Sequence, residues 1–257
     1  MKLKQRTILI TGGTSGIGLV LARRLLERGN TVIVTGRDRS KLDEAERSAP
    51  GLHTAQSDVG DPAAIEALYK DVIVRFPGLD TLVNNAGVMR NLRLDRERTL
   101  LDVTCEIEID LNGPVRMVQQ FLPHLRRRKD ALIVNVSSGL AFVPFPAAPV
   151  YCAAKAALHA YTRCLRAQLA GTTVTVIELA PPGTETPLFR AEFAEEMQGE
   201  KGMDPALLVH RAIQGIEAGK LEIRPGLSNV LKIASRVAPR FMFSQMIKLS
   251  RLDAKAA

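Results

Sequence analysis

Short apolar runs rich in β-branched residues recur along this chain of 257 residues. The five strongest are TILI at 7–10, TVIV at 31–34, TLV at 81–83, LIVNV at 132–136 and VTVIEL at 174–179. Because successive positions in each run are apolar, these segments are typical of strands buried on both faces, as in a parallel sheet. Two weaker candidates for strands are HTAQSD at 53–58 and KLEIR at 220–224.

Helical patterns separate these strands. Residues 17–29 place apolar side chains at i, i+3 and i+4, and Gly29 marks the end of that helix. Residues 61–76 begin with Asp61 as N-cap, and longer helical regions cover about 97–128 and 149–170. The repeated β-α-β order predicts a doubly wound α/β fold, with a mostly parallel sheet and helices on both faces, as a single domain over residues 1–226.

The regular pattern loosens over residues 184–203, an acidic segment that follows the strand VTVIEL. Ligands of doubly wound sheets bind beyond the carboxyl ends of the strands, which is where this segment leaves the sheet. Residues 184–219 are therefore interpreted as a substrate lid with its following helices. A surface helix with solvated glutamates is an equally good interpretation of the acidic part.

A glycine-rich loop, TGGTSGIG at 11–18, joins the first strand to the first helix. Glycines at 12, 16 and 18 allow a sharp turn, and the following helix offers free N–H groups to a pyrophosphate. In this strand–loop–helix context the motif predicts a dinucleotide site of the Rossmann type.

The end of the second strand bears on the choice of nicotinamide cofactor. NAD sites carry an Asp or Glu there, but this chain has Gly36 followed by Arg37. An arginine suits the 2′-phosphate of NADP(H), and Ser15 adds a hydroxyl. NADP(H) is the predicted cofactor; the alternative is that Arg37 is a solvated cation in a turn.

Several ordered motifs resemble those of the classical short-chain dehydrogenase/reductase family. They are the T-G-x-x-x-G-x-G loop, SDV at 57–59, NNAG at 84–87, NVSSG at 135–139 and Y-x-x-x-K at 151–155. The resemblance covers almost the whole chain and is strongest to bacterial oxidoreductases of the DltE type. It implies hydride transfer between NADP(H) and a small carbonyl or alcohol substrate, and assembly into homo-oligomers.

The resemblance also assigns roles to individual positions. The implied cofactor-binding residues are Gly12, Thr14, Ser15, Gly16, Ile17, Gly18, Arg37, Asp58, Val59, Asn85, Ala86, Gly87, Tyr151, Lys155, Pro181 and Thr186.

Three residues carry the predicted chemistry: Ser138, Tyr151 and Lys155. Tyr151 is the general acid/base, and Lys155 lies one turn later on the same helix face, where its charge is expected to lower the pKa of the phenol. Ser138 is expected to stabilise charge on the substrate oxygen. A non-catalytic NADP(H) sensor on the same fold is the alternative.

Two positions depart from the family pattern. Asp110 stands where the family often has an Asn, and Pro182 replaces a usual Gly shortly before Thr186. If that first site acts through its side chain, the carboxylate of Asp110 alters the proton relay.

An uncharged loop, residues 139–150, lies between Ser138 and Tyr151. Phe142, Val143 and Phe145 predict an apolar substrate, since these side chains flank the reacting groups. Packing of the same side chains into the core is an equally good interpretation.

The net charge of +8 is concentrated at the end of the chain, because residues 227–257 carry +5 of it. Lys232, Arg236 and Arg240 share one face of a predicted basic amphipathic extension. Such a helix suits weak contact with an anionic membrane, a partner subunit or plain solvation. Nucleic acid is not an expected partner.

Cysteine and histidine usage adds two expectations. The three cysteines show neither paired nor metal-ligand spacing, and the four histidines are scattered. The sequence therefore predicts a reduced, cytoplasmic protein without a metal site.

Overall fold

The computed structural model describes residues 2–190, 192–196, 198–199 and 201–251. Its centre is a parallel sheet of seven strands in the order β3-β2-β1-β4-β5-β6-β7. The strands are β1 (Thr7–Ile10), β2 (Thr31–Gly36), β3 (His53–Gln56), β4 (Thr81–Asn84), β5 (Ala131–Val136), β6 (Val174–Leu179) and β7 (Glu222–Ile223). This single doubly wound domain of the Rossmann type confirms the predicted fold class.

Ten α-helices surround the sheet in the described residues. They are α1 (Gly16–Leu26), α2 (Arg39–Ser48), α3 (Pro62–Arg75), α4 (Leu100–Ile107), α5 (Gly113–Leu125), α6 (Pro149–Gln168), α7 (Pro187–Arg190), α8 (Pro205–Glu217), α9 (Leu227–Val237) and α10 (Pro239–Leu249). None of them is long and apolar enough to cross a membrane.

Alternate side chains of each strand enter two separate cores. Ile8 and Ile10 pack with residues of α1, α2 and α8 on one face, whereas Leu9 packs with residues of α3, α5 and α6 on the other. Both faces of the strands are thus buried, which explains why their sequences are apolar throughout. This packing fixes the carboxyl edge of the sheet, where the candidate site lies.

The predicted helix over 97–128 is interrupted. Between α4 and α5, residues Glu108–Asn112 form a π-helical turn in which the Gly113 N–H donates to the Glu108 carbonyl. Such a turn holds one more residue than a regular helical turn and is frequent at functional sites. It turns Asp110 inward, where the carboxyl is fully buried.

The C-terminal extension is a pair of helices rather than one continuous helix. Ala238 leaves the helical conformation and Pro239 begins α10, so the chain turns between the two. The first helix of the pair, α9, packs onto a short 3₁₀ turn, Gly139–Ala141, which follows β5, and α10 packs onto α9. Residues 252–257 of the predicted extension lie outside the described residues.

A buried arginine joins the amino ends of the three central strands. Arg6, just before β1, donates from Nη1 to the Asp130 carbonyl at 3.0 Å and lies 3.5 Å from Asp80 Oδ1. Its backbone N–H donates to Asn30 Oδ1 at 3.0 Å. Burial raises the pKa of Asp80, although the neighbouring Thr81 hydroxyl and Arg6 oppose that effect. Arg6 thus compensates charge and carbonyl groups that β1, β4 and β5 bring together.

Replacing Arg6 by Ala is expected to lower the free energy of unfolding by about 3–5 kcal/mol, because buried acceptors lose their donor. Urea unfolding followed by circular dichroism measures the change. The matched control is Arg24→Ala, which removes an exposed pair with Glu27 and is expected to cost less than about 1 kcal/mol. Equal losses for the two variants would contradict this account of Arg6.

Candidate active site

The carboxyl ends of the strands open into a cavity of about 970 Å³. It lies above the junction of β1 and β4, where the chain direction across the sheet reverses, and runs from the end of β2 to the C-terminal helices. Every residue that the sequence predicts for the site lines this cavity except Gly18, Phe142 and Val143.

The glycine-rich loop forms one wall, and its glycines are needed for different reasons. Gly12 and Gly16 have positive φ angles of 65° and 52°. A Cβ on Gly12 would lie 2.7 Å from the Ala86 Cα. Gly18 does not face the cavity, but a Cβ there would lie 2.4 Å from the Gly12 carbonyl oxygen. Gly18 therefore lets α1 pack against the loop.

Side chains after β4 hold that loop in place. The Asn85 side chain donates to the carbonyls of Thr11 and Gly12 at 2.9 and 3.0 Å. The Thr11 hydroxyl accepts from the backbone N–H groups of Asn85 and Ala86, each at 3.0 Å. The loop is thus fixed before any ligand binds, and the Ser15 side chain at the start of α1 makes no capping bond of its own. These features fit a dinucleotide pyrophosphate.

Basic side chains line the end of the cavity next to β2. Arg37 is 62% exposed and its Nη1 lies 3.8 Å from Asp58 Oδ2, and Lys41 lines the cavity beside it. Asp38 accepts from the Lys41 backbone N–H at 3.2 Å and so caps α2. Asp38 therefore caps α2, whereas Arg37 and Lys41 both line the cavity.

The three residues of the predicted chemistry converge at the centre of the cavity. Ser138 follows β5, whereas Tyr151 and Lys155 lie on α6, and all three are buried. The Ser138 hydroxyl lies close enough to the Tyr151 phenol to lower the pKa of the phenol. Ser138 Oγ also accepts from the Leu140 N–H at 3.1 Å. A substrate oxygen can therefore approach a hydroxyl and a phenol at the same point.

Lys155 has a different electrostatic partner from the one expected. Its Nζ lies 3.0 Å from Asp110 Oδ1 and donates to the Val136 carbonyl at 3.2 Å. Burial raises the pKa of Asp110, and Lys155 opposes that effect. Burial also raises the pKa of Tyr151, and the Asp110 carboxylate raises it further, while the Ser138 hydrogen bond lowers it. The expectation of a lowered Tyr151 pKa is therefore wrong for this structure, because burial raises that pKa and the nearby Asp110 carboxylate raises it further.

A second buried acid lies one turn before Asp110. Glu106 is fully buried, and its Oε1 accepts from the Arg90 backbone N–H at 2.9 Å. Burial raises its pKa to about 7, although the Arg90 N–H opposes the shift. The sequence analysis missed this residue. Its i, i+4 spacing to Asp110, across the π turn, was the available signal.

The uncharged loop after Ser138 contributes less to the cavity than predicted. Phe145 lines it, but the 3₁₀ turn directs Phe142 and Val143 away, toward a smaller cavity of about 240 Å³ beside α9 and α10. Phe142 stacks edge-on with His159, with ring centroids 5.2 Å apart, and Lys232 lies 5.2 Å from its centroid. Val143 matches the alternative interpretation of core packing, whereas Phe142 is half-buried and faces neither the main cavity nor the core.

The apolar end of the cavity is built by segments distant in sequence. The residues that the sequence analysis missed there are Leu188, Phe189, Leu227, Leu231, Met246 and Leu249. The candidate lid contributes the first two and carries a β-bridge from Thr184 to Met203. The lid positions 191, 197 and 200 lie outside the described residues. Helical spacing of apolar residues in the extension, such as 227 and 231, was the signal for the others.

Comparison with known proteins agrees with this geometry. The short chain dehydrogenase family matches residues 6–197. The oxidoreductase DltE of Bacillus subtilis (strain 168) is 42% identical over 96% of this chain and 98% of its own length. The NADP-dependent 3-hydroxy acid dehydrogenase YdfG of Shigella flexneri is 33% identical over 68% of this chain and 71% of its own.

A solved structure extends the comparison to the fold. It is a 3-ketoacyl-(acyl-carrier-protein) reductase from Brucella melitensis complexed with NADH. The TM-score is 0.79 at 24% identity, over 88% of this chain and 100% of the other. The family match and the DltE likeness together show that this chain belongs to the short-chain dehydrogenase family, as an oxidoreductase with a nicotinamide cofactor.

Proposed function

We propose that this protein reduces the carbonyl group of a small apolar substrate with NADPH, and oxidises the corresponding alcohol in reverse. The observation that carries the proposal is the convergence of Ser138, Tyr151 and Lys155, all buried, in the same cavity as the glycine-rich loop. A protein that only senses the nucleotide has no need of a buried phenol, hydroxyl and amine in the same cavity.

The bound cofactor supplies the hydride. Tyr151 gives its proton to the substrate oxygen during reduction and takes one back during oxidation. Ser138 donates a hydrogen bond to the same oxygen as negative charge develops there. Lys155 is positioned by Asp110 and Val136 at the cavity wall, where it would hold the ribose hydroxyls of a bound cofactor.

The raised pKa of Tyr151 affects the pH dependence of the two directions of the reaction differently. At neutral pH the phenol keeps its proton, which suits the acid role in carbonyl reduction. Alcohol oxidation requires the phenolate and is therefore favoured by high pH. We propose carbonyl reduction as the main activity near neutral pH.

Cofactor preference rests on the basic end of the cavity. Arg37 and Lys41 both face the space that follows β2, and Gly36 leaves no acidic group there for a ribose 2′-OH. Two cations suit the additional phosphate of NADP(H). The relative YdfG is NADP-dependent by name, which supports the same choice.

The rest of the molecule supports three further parts of the proposal. The cavity end formed by Phe145, Phe189 and Leu231 favours an apolar substrate. Leu100 and Leu101 on α4 are each 85% exposed, which suits burial between subunits of a homo-oligomer. The cysteines are all unpaired, as in proteins of the reducing cytoplasm.

Replacing Tyr151 by Phe is expected to lower kcat for carbonyl reduction about 10²- to 10⁴-fold, because the proton donor is lost. NADPH consumption with a panel of apolar ketones and aldehydes measures the rate, and NADPH fluorescence checks that binding persists. Tyr161→Phe on the same helix is the control and is expected to leave kcat unchanged. A Tyr151→Phe enzyme as fast as the parent would refute the mechanism.

Replacing Arg37 by Ala is expected to raise the Kd of NADPH about 10- to 100-fold, since a hydrogen bond to a charged group contributes about 1.5–3 kcal/mol. The Kd of NADH is expected to stay the same. Fluorescence titration measures both constants. Arg39→Ala, which removes an exposed pair with Asp43, is the control. If the parent protein prefers NADH, the cofactor assignment is wrong.

Replacing Asp110 by Asn is expected to shift the pH profile of alcohol oxidation toward lower pH. The carboxylate raises the pKa of Tyr151, so its removal makes the phenolate available at lower pH. The rate is measured from pH 6 to pH 11 at saturating cofactor. Asp102→Asn, at a half-buried position of α4 paired with Arg90 and Arg98, is the control, and coincident profiles for all three proteins would contradict this role of Asp110.

A further inference from the structure

The helices α9 and α10 present opposite faces to two environments. Leu231 and Met246 are buried against the cavity, where they pack with Phe189 and Phe145. Gly139, next to Ser138, approaches α9 so closely that a Cβ there would lie 2.8 Å from Ser228 Oγ. The inner face of this helical hairpin is therefore a wall of the substrate cavity.

The outer face of the hairpin is apolar and exposed. Val230, Ile233 and Val237 follow one another at helical spacing on α9, and each is more than half exposed. Leu227 and Phe241 extend this outer face, at 58% and 62% exposure. Exposed apolar side chains are normal when scattered, but five on one short hairpin form a patch that requires a partner.

Positive charge surrounds this apolar face. Residues 227–251 contain five Lys and Arg and no Asp or Glu. Lys232 is directed inward to Glu222, at 2.5 Å, so it does not share the solvent face with Arg236 and Arg240 as the sequence predicts. Arg236, Arg240 and Lys248 are exposed, and within the described part of the chain no ion pair includes them.

An apolar helix face bordered by uncompensated cations matches the chemistry of an anionic lipid surface. Such helices lie in the interface, with apolar side chains among the acyl chains and cations at the phosphates. A second copy of this chain that met this face with its own hairpin would offer no such complement, because that hairpin carries the same excess of positive charge. Charge complementarity thus favours the bilayer over self-association at this face.

We propose that the outer face of α9–α10 docks the protein onto the anionic surface of a phospholipid bilayer. Leu227 belongs both to the outer face and to the cavity wall, and Leu207 lines the cavity from the opposite side while also being exposed. Docking thus places the apolar mouth of the cavity against the bilayer. The substrate is then a carbonyl or alcohol compound dissolved in the lipid, a consequence that rests on the proposed function.

The test is co-sedimentation of the full chain with large unilamellar vesicles. Vesicles of equal parts phosphatidylglycerol and phosphatidylcholine are compared with vesicles of phosphatidylcholine alone. We expect binding to the anionic vesicles that weakens at high salt, and little binding to the neutral ones. This measurement is independent of turnover, so an inactive protein that binds vesicles refutes the oxidoreductase proposal and leaves the docking proposal intact.

Two matched pairs of variants locate the binding face. Val237→Glu is expected to lower the bound fraction at least about fivefold, whereas Val74→Glu on α3 is not, although the two valines are 80% and 81% exposed. Arg236→Gln with Arg240→Gln is expected to weaken binding more than Arg126→Gln with Arg127→Gln. Circular dichroism and NADPH binding verify that each variant is folded.

Three results would overturn the proposal. The first is an absence of vesicle binding, and the second is equal losses for the two members of each pair. The third is a dimer in size-exclusion chromatography that Val237→Glu dissociates while vesicles bind neither protein, which would assign the face to a second copy of the chain.

Discussion

A buried ion pair between Lys155 and Asp110 joins the segments of the chain that surround Tyr151. The two charges lie 3.0 Å apart in an environment from which water is excluded, so each requires the other. The pair ties α6 to the π turn, and the Val136 carbonyl joins it to the end of β5. The loop after β4 must also leave room, since a Cβ on Gly87 would lie 2.6 Å from Asp110 Oδ1. Four segments thus depend on one electrostatic contact.

This arrangement changes the effect that a lysine usually has on the pKa of a neighbouring tyrosine. A positive charge near a phenol lowers the pKa of the phenol, but here the same charge is compensated by a carboxylate. Burial and the Asp110 carboxylate raise the pKa of Tyr151, whereas the Ser138 hydroxyl lowers it. Asp110 therefore affects both the lysine that it contacts and the acidity of the phenol.

The sequence predicts the parts of this protein that follow local rules. Strands buried on both faces have a distinct composition, and a glycine-rich loop requires particular residues at fixed spacing. The sheet and the glycine-rich loop could therefore be predicted from the sequence. The contact between Lys155 and Asp110 could not be predicted, because the direction of the Asp110 side chain depends on a π turn that no residue spacing indicates. Phe142 and Val143 were assigned to the substrate by proximity in sequence, whereas a 3₁₀ turn directs them away. The apolar end of the cavity could not be predicted, because tertiary contacts between α9, α10 and the lid form it.

The close approach of α9 to Gly139 has a mechanical consequence. Because α9 leaves no space for a side chain at position 139, a larger residue there would displace either α9 or the turn that follows Ser138. Lys232 adds a second connection, since it joins α9 to Glu222 on β7 and lies over the ring of Phe142. A shift of the hairpin would therefore also move the backbone beside Ser138 and the edge of the sheet.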